Sequence, residues 1–230
     1  AAPAPRVKPR LDGDMAVLRL RELARLPFPE ARARAGSKAA TLAALLADDG
    51  LRALGAHALD GAVVPIPLVA SWLRALGLYA RWHDATSPSA MRTALRRGLR
   101  ALLVSTSGAP TVMGRALANR LRLPGSGPRI ARASGSAEDL PGKSDAGLSR
   151  SVAGLDDDAA LLRAIVDIVA DVWRDEAVAH QRRCGVSMRD VWPAILVQRD
   201  LGPQALLSGV AVSRGTDGAR VARLVRFGRR

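Results

Sequence analysis

Cysteine, lysine and aromatic residues are scarce in this chain of 230 residues. The single cysteine, Cys184, excludes an internal disulfide and fits a reducing compartment, so we expect a cytoplasmic protein. Residues 1–5 are also compatible with the remnant of a removed leader. No apolar run approaches the roughly 18 uninterrupted residues that a membrane-spanning helix needs, so the sequence predicts no membrane span.

Because lysine is rare, arginine carries nearly all of the positive charge. Only Lys8, Lys38 and Lys143 are lysine, and the formal net charge is +14. Such a charge attracts phosphate-bearing partners over a long range. The arginines are nevertheless scattered, with no basic stripe interleaved with aromatics, so a nucleic-acid partner is not favoured. A basic RNA-associated protein stays as a weaker alternative, in which binding would fall steeply with salt.

Hydrophobic periodicity predicts many helices first and strands last, which indicates an α+β (mixed α/β) fold rather than regular βαβ winding. Residues 1–14 are predicted to be disordered, and 15–230 to form one domain with a subdomain break near 104–128. We expect tryptophan to anchor the core. The predicted helices cover 15–26, 38–47, 69–77, 88–103, 111–121 and 159–183; the strands cover 63–68, 130–131, 195–197, 206–212 and 221–227; and 148–158 is predicted to be a polar linker.

The most informative segment is a loop rich in glycine and serine at residues 132–147, which contains three glycines and two cations. Glycine lets the backbone approach a ligand closely, and exposed amides and hydroxyls donate hydrogen bonds to oxygen anions. The composition therefore predicts a loop that folds over a polyphosphate. The alternative is an ordinary flexible surface loop, which such clusters also form.

This loop resembles the Arg-Ser-Ser-Thr-Asn-Ala-Glu-Asp-Leu-Pro-Gly signature of the pyruvate phosphate dikinase, phosphoenolpyruvate synthase and glucan water dikinase family. Arg132, Ser134 and residues 137–142 match it, and 146–148 match the Ala-Gly-Leu that follows. Three positions depart toward smaller side chains: Ala133, Gly135 and Ser136. Further segments resemble the family in the same order, so that the resemblance extends from about residue 30 to 214: 36–42, 64–67, 172–183, 195–198 and 207–211.

The resemblance implies the N-terminal, ATP-grasp-type nucleotide-binding domain of a PEP/pyruvate-binding dikinase. It implies ATP with Mg²⁺ as cofactor, and transfer of phosphate to a histidine on another domain or partner chain. The family's late metal carboxylates and carrier histidine have no counterpart here, so we expect an incomplete phosphotransferase with no identifiable metal ligand. The alternative is a catalytically degenerate binding or scaffold module of the same fold.

The candidate site residues follow from the same resemblance. Lys38 and Arg132 are expected to contact the nucleotide phosphates and to serve catalysis, with Lys38 at the positive end of a helix that Ser37 caps. Further candidates are expected to cover the phosphates (Ser134, Gly135, Ser136 and Gly142) or to contact the adenine (Gln198 and Leu201). Glu138 and Asp139 are not assigned to a metal, because adjacent residues of an extended segment point to opposite sides. One of them is expected to orient the loop or to cap a helix.

Overall fold

The computed structural model divides the chain into two compact units, Ala1–Arg199 and Asp200–Arg230. It describes residues 8–55, 57–138 and 149–202, together with the backbone of 210–212 and 221–223. The segment 104–128 lies inside the first unit. Among the described residues, no helix combines the length and the apolar character that crossing a membrane requires.

A five-stranded sheet forms the centre of the first unit, in the order β1-β2-β5-β3-β4 with every neighbouring pair antiparallel. Its central strand β5 is buried along nearly its whole length because helices cover both sheet faces. This architecture confirms the predicted α+β class. The strands are β1 (Leu18–Arg19), β2 (Gly61–Val64), β3 (Arg129–Gly135), β4 (Ser151–Leu155) and β5 (Pro193–Arg199).

Nine helices are described in the first unit, and α6 has the bounds that the sequence predicts. The Ser87 hydroxyl accepts the N–H of Ala90 at 3.3 Å, and Pro88 occupies the first turn, so this helix starts with two strong N-terminal signals. The helices are α1 (Leu20–Leu23), α2 (Phe28–Ala47), α3 (Asp49–Ala53), α4 (Ile66–Ala75), α5 (Tyr79–Asp84), α6 (Pro88–Leu103), α7 (Val112–Arg120), α8 (Asp158–Asp171) and α9 (Asp175–Arg183).

Two N-terminal predictions were wrong. The expected helix 15–26 is instead β1 followed by the short α1, because the chain first pairs with β2. The strand predicted over 63–68 is β2, an interior strand that ends at Val64. Pro65 and Pro67 do not mark a sheet edge; they lie at the start of α4, where a missing N–H costs nothing.

Two later predictions also need correction. The predicted linker 148–158 contains the edge strand β4, whose side chains are mostly exposed and so carry no apolar signal. The single helix predicted over 159–183 is two helices, α8 and α9, separated at residues 172–174. Gly185 follows α9 with φ +62°, the left-handed conformation expected of a helix-ending glycine.

Tryptophan anchors the core as predicted. Trp82 stacks on Trp192 with ring centroids 4.8 Å apart and meets Trp173 edge-on at 5.6 Å, and all three are buried. Trp72 is also buried.

The second unit contains one described strand pair. Here β6 (Val210–Val212) and β7 (Val221–Arg223) pair antiparallel, as the sequence predicts for the last two strands.

Candidate functional site

The site begins at a break inside α2. Gly36 has φ +76° and ψ 173°, so this residue leaves the helical conformation and α2 restarts after it. A Cβ at this position would lie 2.0 Å from the Ser134 carbonyl oxygen, which leaves room for glycine alone. The close approach of backbone to backbone brings the restarted helix directly onto the end of β3.

Ser134 joins the two halves of α2 from the neighbouring strand. Its hydroxyl donates to the Ala35 carbonyl at 2.7 Å and accepts the N–H of Ala39 at 2.9 Å. Ser134 therefore satisfies the restarted helix in the way an N-cap residue does, although it belongs to a different element. The prediction that Ser37 caps this helix was wrong, because the Ser37 hydroxyl donates instead to the Glu138 carbonyl at 2.9 Å.

Lys38 extends from the restarted helix to the end of β3. Its Nζ donates to the Ala133 carbonyl at 2.9 Å and lies 3.7 Å from Oε2 of Glu138, with 26% of the side chain exposed. The ammonium thus stands beside the residue that follows Arg132 in the chain. The sequence predicted that Lys38 and the 132–147 loop share a site, and the structure brings Lys38 to the start of that loop.

Glu138 holds the start of the same loop in place. Its carbonyl accepts hydrogen bonds from Ser37 and, at 3.3 Å, from Nη2 of Arg32. Its carboxylate accepts a short hydrogen bond from Ser149. These contacts match the orienting role expected of one of the two acidic residues. Asp139 and Gly142 lie outside the described residues.

Arg132 lies on β3, between Leu196 of β5 and Ser151 of β4. Side chains two residues apart in a strand share a face, so Arg132 lies on the same face as Ser134, the face that α2 covers. Its Nε is buried and makes no hydrogen bond within the described part of the chain. An arginine held this way has donor capacity left for an incoming anion.

The other predicted phosphate contacts have close neighbours. Ser136 ties β3 to the segment before β5: its hydroxyl donates to the Asp190 carbonyl at 2.7 Å and accepts the N–H of Trp192 at 2.9 Å. A Cβ at Gly135 would lie 3.2 Å from Cγ of Glu138. In this conformation the hydroxyls of both Ser134 and Ser136 are hydrogen-bonded to backbone groups.

Of the two adenine candidates, Gln198 alone belongs to the sheet of the first unit. Gln198 is buried on β5, on the face that carries Arg132, and its Nε2 donates to the Leu59 carbonyl at 2.7 Å. Leu201 belongs to the second unit and is 44% exposed. The structure thus places Gln198 on the sheet face of the site and Leu201 outside the first unit.

Sequence reasoning missed a charged cluster on the opposite face of β3. Asp171 is only 3% exposed, yet it accepts hydrogen bonds from Arg92 at 2.7 Å and Arg150 at 2.7 Å. Burial raises the pKa of Asp171, but the hydrogen bonds from Arg150 and Arg92 outweigh burial and hold that pKa below its usual value. A signal existed in the sequence: Asp171 follows Ile168 by three residues, so it continues the apolar face of α8.

A small cavity lies between this cluster and the end of β3. Ala133, Gly135 and Glu138 form one wall, and Arg150, Asp171 and Trp192 contribute to the other. No group of three or more metal-ligating side chains occurs among the residues that the structure describes. Of the two predicted phosphate contacts, Lys38 reaches β3 at the Ala133 carbonyl and Arg132 belongs to β3 itself.

Comparison with known proteins agrees with this geometry. A family model described as the pyruvate phosphate dikinase AMP/ATP-binding domain matches residues 32–227, which is most of the chain. The match includes every element of the site, from α2 to β5, and confirms the resemblance found in the sequence. No curated protein matches the chain significantly.

Proposed function

Since this chain belongs to the family of the pyruvate phosphate dikinase AMP/ATP-binding domain, we propose that it holds ATP for phosphoryl transfer to a histidine on another domain or chain. Membership of the family supports nucleotide binding itself. The transfer, its histidine acceptor and an ATP-grasp mode of binding are the further content of this proposal.

The observation that supports the proposal is that Lys38 reaches the carbonyl of Ala133, the residue after Arg132, at the start of the glycine-rich loop. Lys38 already contacts an oxygen of β3 at 2.9 Å, and Arg132 holds a buried Nε without a hydrogen-bond partner among the described residues. Two cations with so few carboxylate contacts suit the negative charge of a triphosphate. Glu138 is the one described carboxylate beside Lys38, at 3.7 Å.

In the proposed reaction, an imidazole nitrogen of the acceptor attacks a phosphorus of ATP, and an N–P bond forms as a P–O bond breaks. The rest of the nucleotide leaves with the bridging oxygen as an anion, and the imidazole releases its N–H proton to solvent. In such transfers the protein mainly positions groups and neutralises charge. Lys38 would act as a point charge on the phosphates, and Arg132 would donate two parallel hydrogen bonds to phosphate oxygens. Mg²⁺ bound to ATP would neutralise part of the remaining phosphate charge.

The first test is ATP binding by calorimetry, with Lys38→Ala and Arg132→Ala compared with the unchanged protein. Each variant is expected to weaken binding at least about tenfold, because a charged hydrogen bond to phosphate is lost. Lys8→Ala and Arg81→Ala are matched controls, since both side chains are exposed and neither belongs to the predicted site. Equal affinity in all five proteins would remove Lys38 and Arg132 from the nucleotide site.

The second test concerns transfer. Full-length protein is incubated with phosphate-labelled ATP, and the label is expected to appear on protein as an acid-labile, alkali-stable phosphoramidate. Lys38→Ala should abolish that label. If ATP binds normally but no label forms, either on the protein or on an added domain that carries an acceptor histidine, the chain is a binding module that has lost catalysis. That second candidate is favoured by one observation: the hydroxyls of Ser134 and Ser136 are engaged with backbone atoms.

A further inference from the structure

A ladder of charged side chains connects α6 and α8. Arg92 pairs with Asp171 at 2.7 Å, and Arg96, one turn later on α6, pairs with Asp167, one turn earlier on α8, at 3.2 Å. The rungs are therefore spaced by four residues on each helix, in opposite directions. This spacing places Arg100 opposite Arg163 at the next rung.

The third rung breaks the pattern of the first two, because it joins two cations. Arg100 and Arg163 line one groove between the helices, together with Arg96, Arg97 and the loop residue Thr106. No carboxylate lines that groove. Arg97, Arg100 and Arg163 form no ion pair or hydrogen bond with any described side chain, whereas Arg96 is already neutralised by Asp167 and Asp171.

We propose that this groove binds a small multivalent anion of the phosphate class, phosphate or pyrophosphate, which takes the place of the missing carboxylate between Arg100 and Arg163. Arginine is suited to this because its planar guanidinium donates two parallel hydrogen bonds to phosphate oxygens. Exposed like charges that line one groove repel each other, and a bound dianion converts that repulsion into attraction.

The size of the basic region favours a small anion over a nucleic acid. Arg97 and Arg100 are three residues apart, a rise of about 4.5 Å along the helix, which is comparable to one or two phosphate groups. Nearer the start of α6, Arg92 and Arg96 are neutralised by Asp167 and Asp171. The groove therefore offers no continuous positive surface for a polymer backbone. Neither Lys38 nor Arg132 lines this groove, and the proposal is therefore independent of the proposed function.

The test measures pyrophosphate and phosphate binding by calorimetry, in chloride buffers of matched ionic strength. The decisive variant is Arg163→Glu, which completes the ladder with a carboxylate. It is expected to abolish anion binding and, without anion, to raise Tm by about 2 °C through the new ion pair. Arg100→Ala should weaken anion binding about tenfold. Arg81→Glu changes an exposed arginine elsewhere by the same charge and should leave binding unchanged.

Three results would overturn the proposal. The first is a pyrophosphate affinity that is the same in Arg163→Glu and in the unchanged protein. The second is binding that Lys38→Ala abolishes while Arg163→Glu preserves it, which would locate the anion at the nucleotide site. The third is a short single-stranded RNA that binds through Arg100 and Arg163 far more tightly than pyrophosphate, which would make the groove a nucleic-acid surface.

Discussion

Two groups of charged residues meet β3, one on its α8 face and the other on its α2 face and at its end, and they differ in how completely their charges are neutralised. On the α8 face, Asp171 accepts hydrogen bonds from three arginines, Arg92, Arg96 and Arg150, at 2.7 to 3.3 Å. At the end of β3, Lys38 donates to a backbone carbonyl at 2.9 Å and lies 3.7 Å from Glu138. On the α2 face, Arg132 has a buried Nε with no partner among the described residues. The charge of the first group is neutralised by its own residues, whereas the second group has cations that are not fully paired with carboxylates.

This difference separates a structural role from a binding role. A buried carboxylate with several arginine partners fixes helices and strands to one another, and its charge is fully used. Lys38, which donates to a backbone carbonyl, and Arg132, whose Nε has no partner among the described residues, keep donor capacity for a ligand. We therefore expect substitutions on the α8 face to change stability, and substitutions of Lys38 and Arg132 to change nucleotide affinity.

The largest effect on the free energy of unfolding should come from adding a side chain at Gly36, where α2 and β3 approach most closely. In Gly36→Ala, a Cβ would lie 2.0 Å from a carbonyl oxygen and the residue would keep a positive φ. We expect a loss of about 4 kcal/mol in the free energy of unfolding, from backbone strain and overpacking together. Urea denaturation measures this loss.

Gly55→Ala is the matched control for that experiment. Gly55 has a similar φ of +74°, but a Cβ there would meet nothing within 4 Å. Its loss should be about 1–2 kcal/mol, from strain alone. If the two variants lose equal stability, the contact with Ser134 does not shape the site.

On the α8 face, Asp171→Asn should cost about 2–3 kcal/mol of unfolding free energy, because three arginines lose the charge of a buried partner. ATP affinity should change little. Asp49→Asn, which removes the charge of an 88% exposed carboxylate, should leave stability nearly unchanged. Loss of ATP binding without loss of stability in Asp171→Asn would contradict the distinction between the two faces.

Ser134→Ala should have an intermediate effect, and it should lower both stability and ATP affinity. Removal of the hydroxyl that joins the two halves of α2 should cost about 1–2 kcal/mol and weaken ATP binding as the Lys38 helix shifts. Thr111→Ala removes a comparable cap, on the N–H of Gly114 in α7, far along the chain from the site. Similar ATP affinity in the two variants would show that the Ser134 bridge does not position Lys38.

The smallest effect is the pH dependence that Asp171 contributes. Its pKa in the folded protein lies below the usual 3.8, so its contribution to stability is complete above that value and is lost as the pH falls through the lower, folded pKa. The stability difference between the unchanged protein and Asp171→Asn should therefore be constant from about pH 7 to 5 and shrink below about pH 4. A difference that grows on acidification would have the wrong sign.

Much of the fold could be predicted wherever local signals agree with packing. The α6 helix was predicted to the residue because its cap, its proline and its apolar face coincide. The edge strand β4 was missed because it is exposed and short, and its pairing with β3 is a long-range property. The break between α8 and α9 has no glycine or proline to announce it, so only tertiary structure reveals it.

The candidate site divides in the same way. The motifs predict Lys38 and Arg132 as site residues, and the structure places the Lys38 ammonium against the Ala133 carbonyl, one residue after Arg132. What the sequence could not reveal is that Ser134 serves a helix ninety-odd positions earlier, or that Ser136 connects two strands. Such hydroxyl contacts depend on distances between elements, and those are set only when the sheet and helices pack.

The stacked rings of Trp82 and Trp192 supply an optical readout that requires no added dye. The backbone of Trp192 is bonded to Ser136 at the end of β3, so movement of that strand end would alter the overlap of the two indoles. The intrinsic emission of the protein should therefore register events at the nucleotide site in real time.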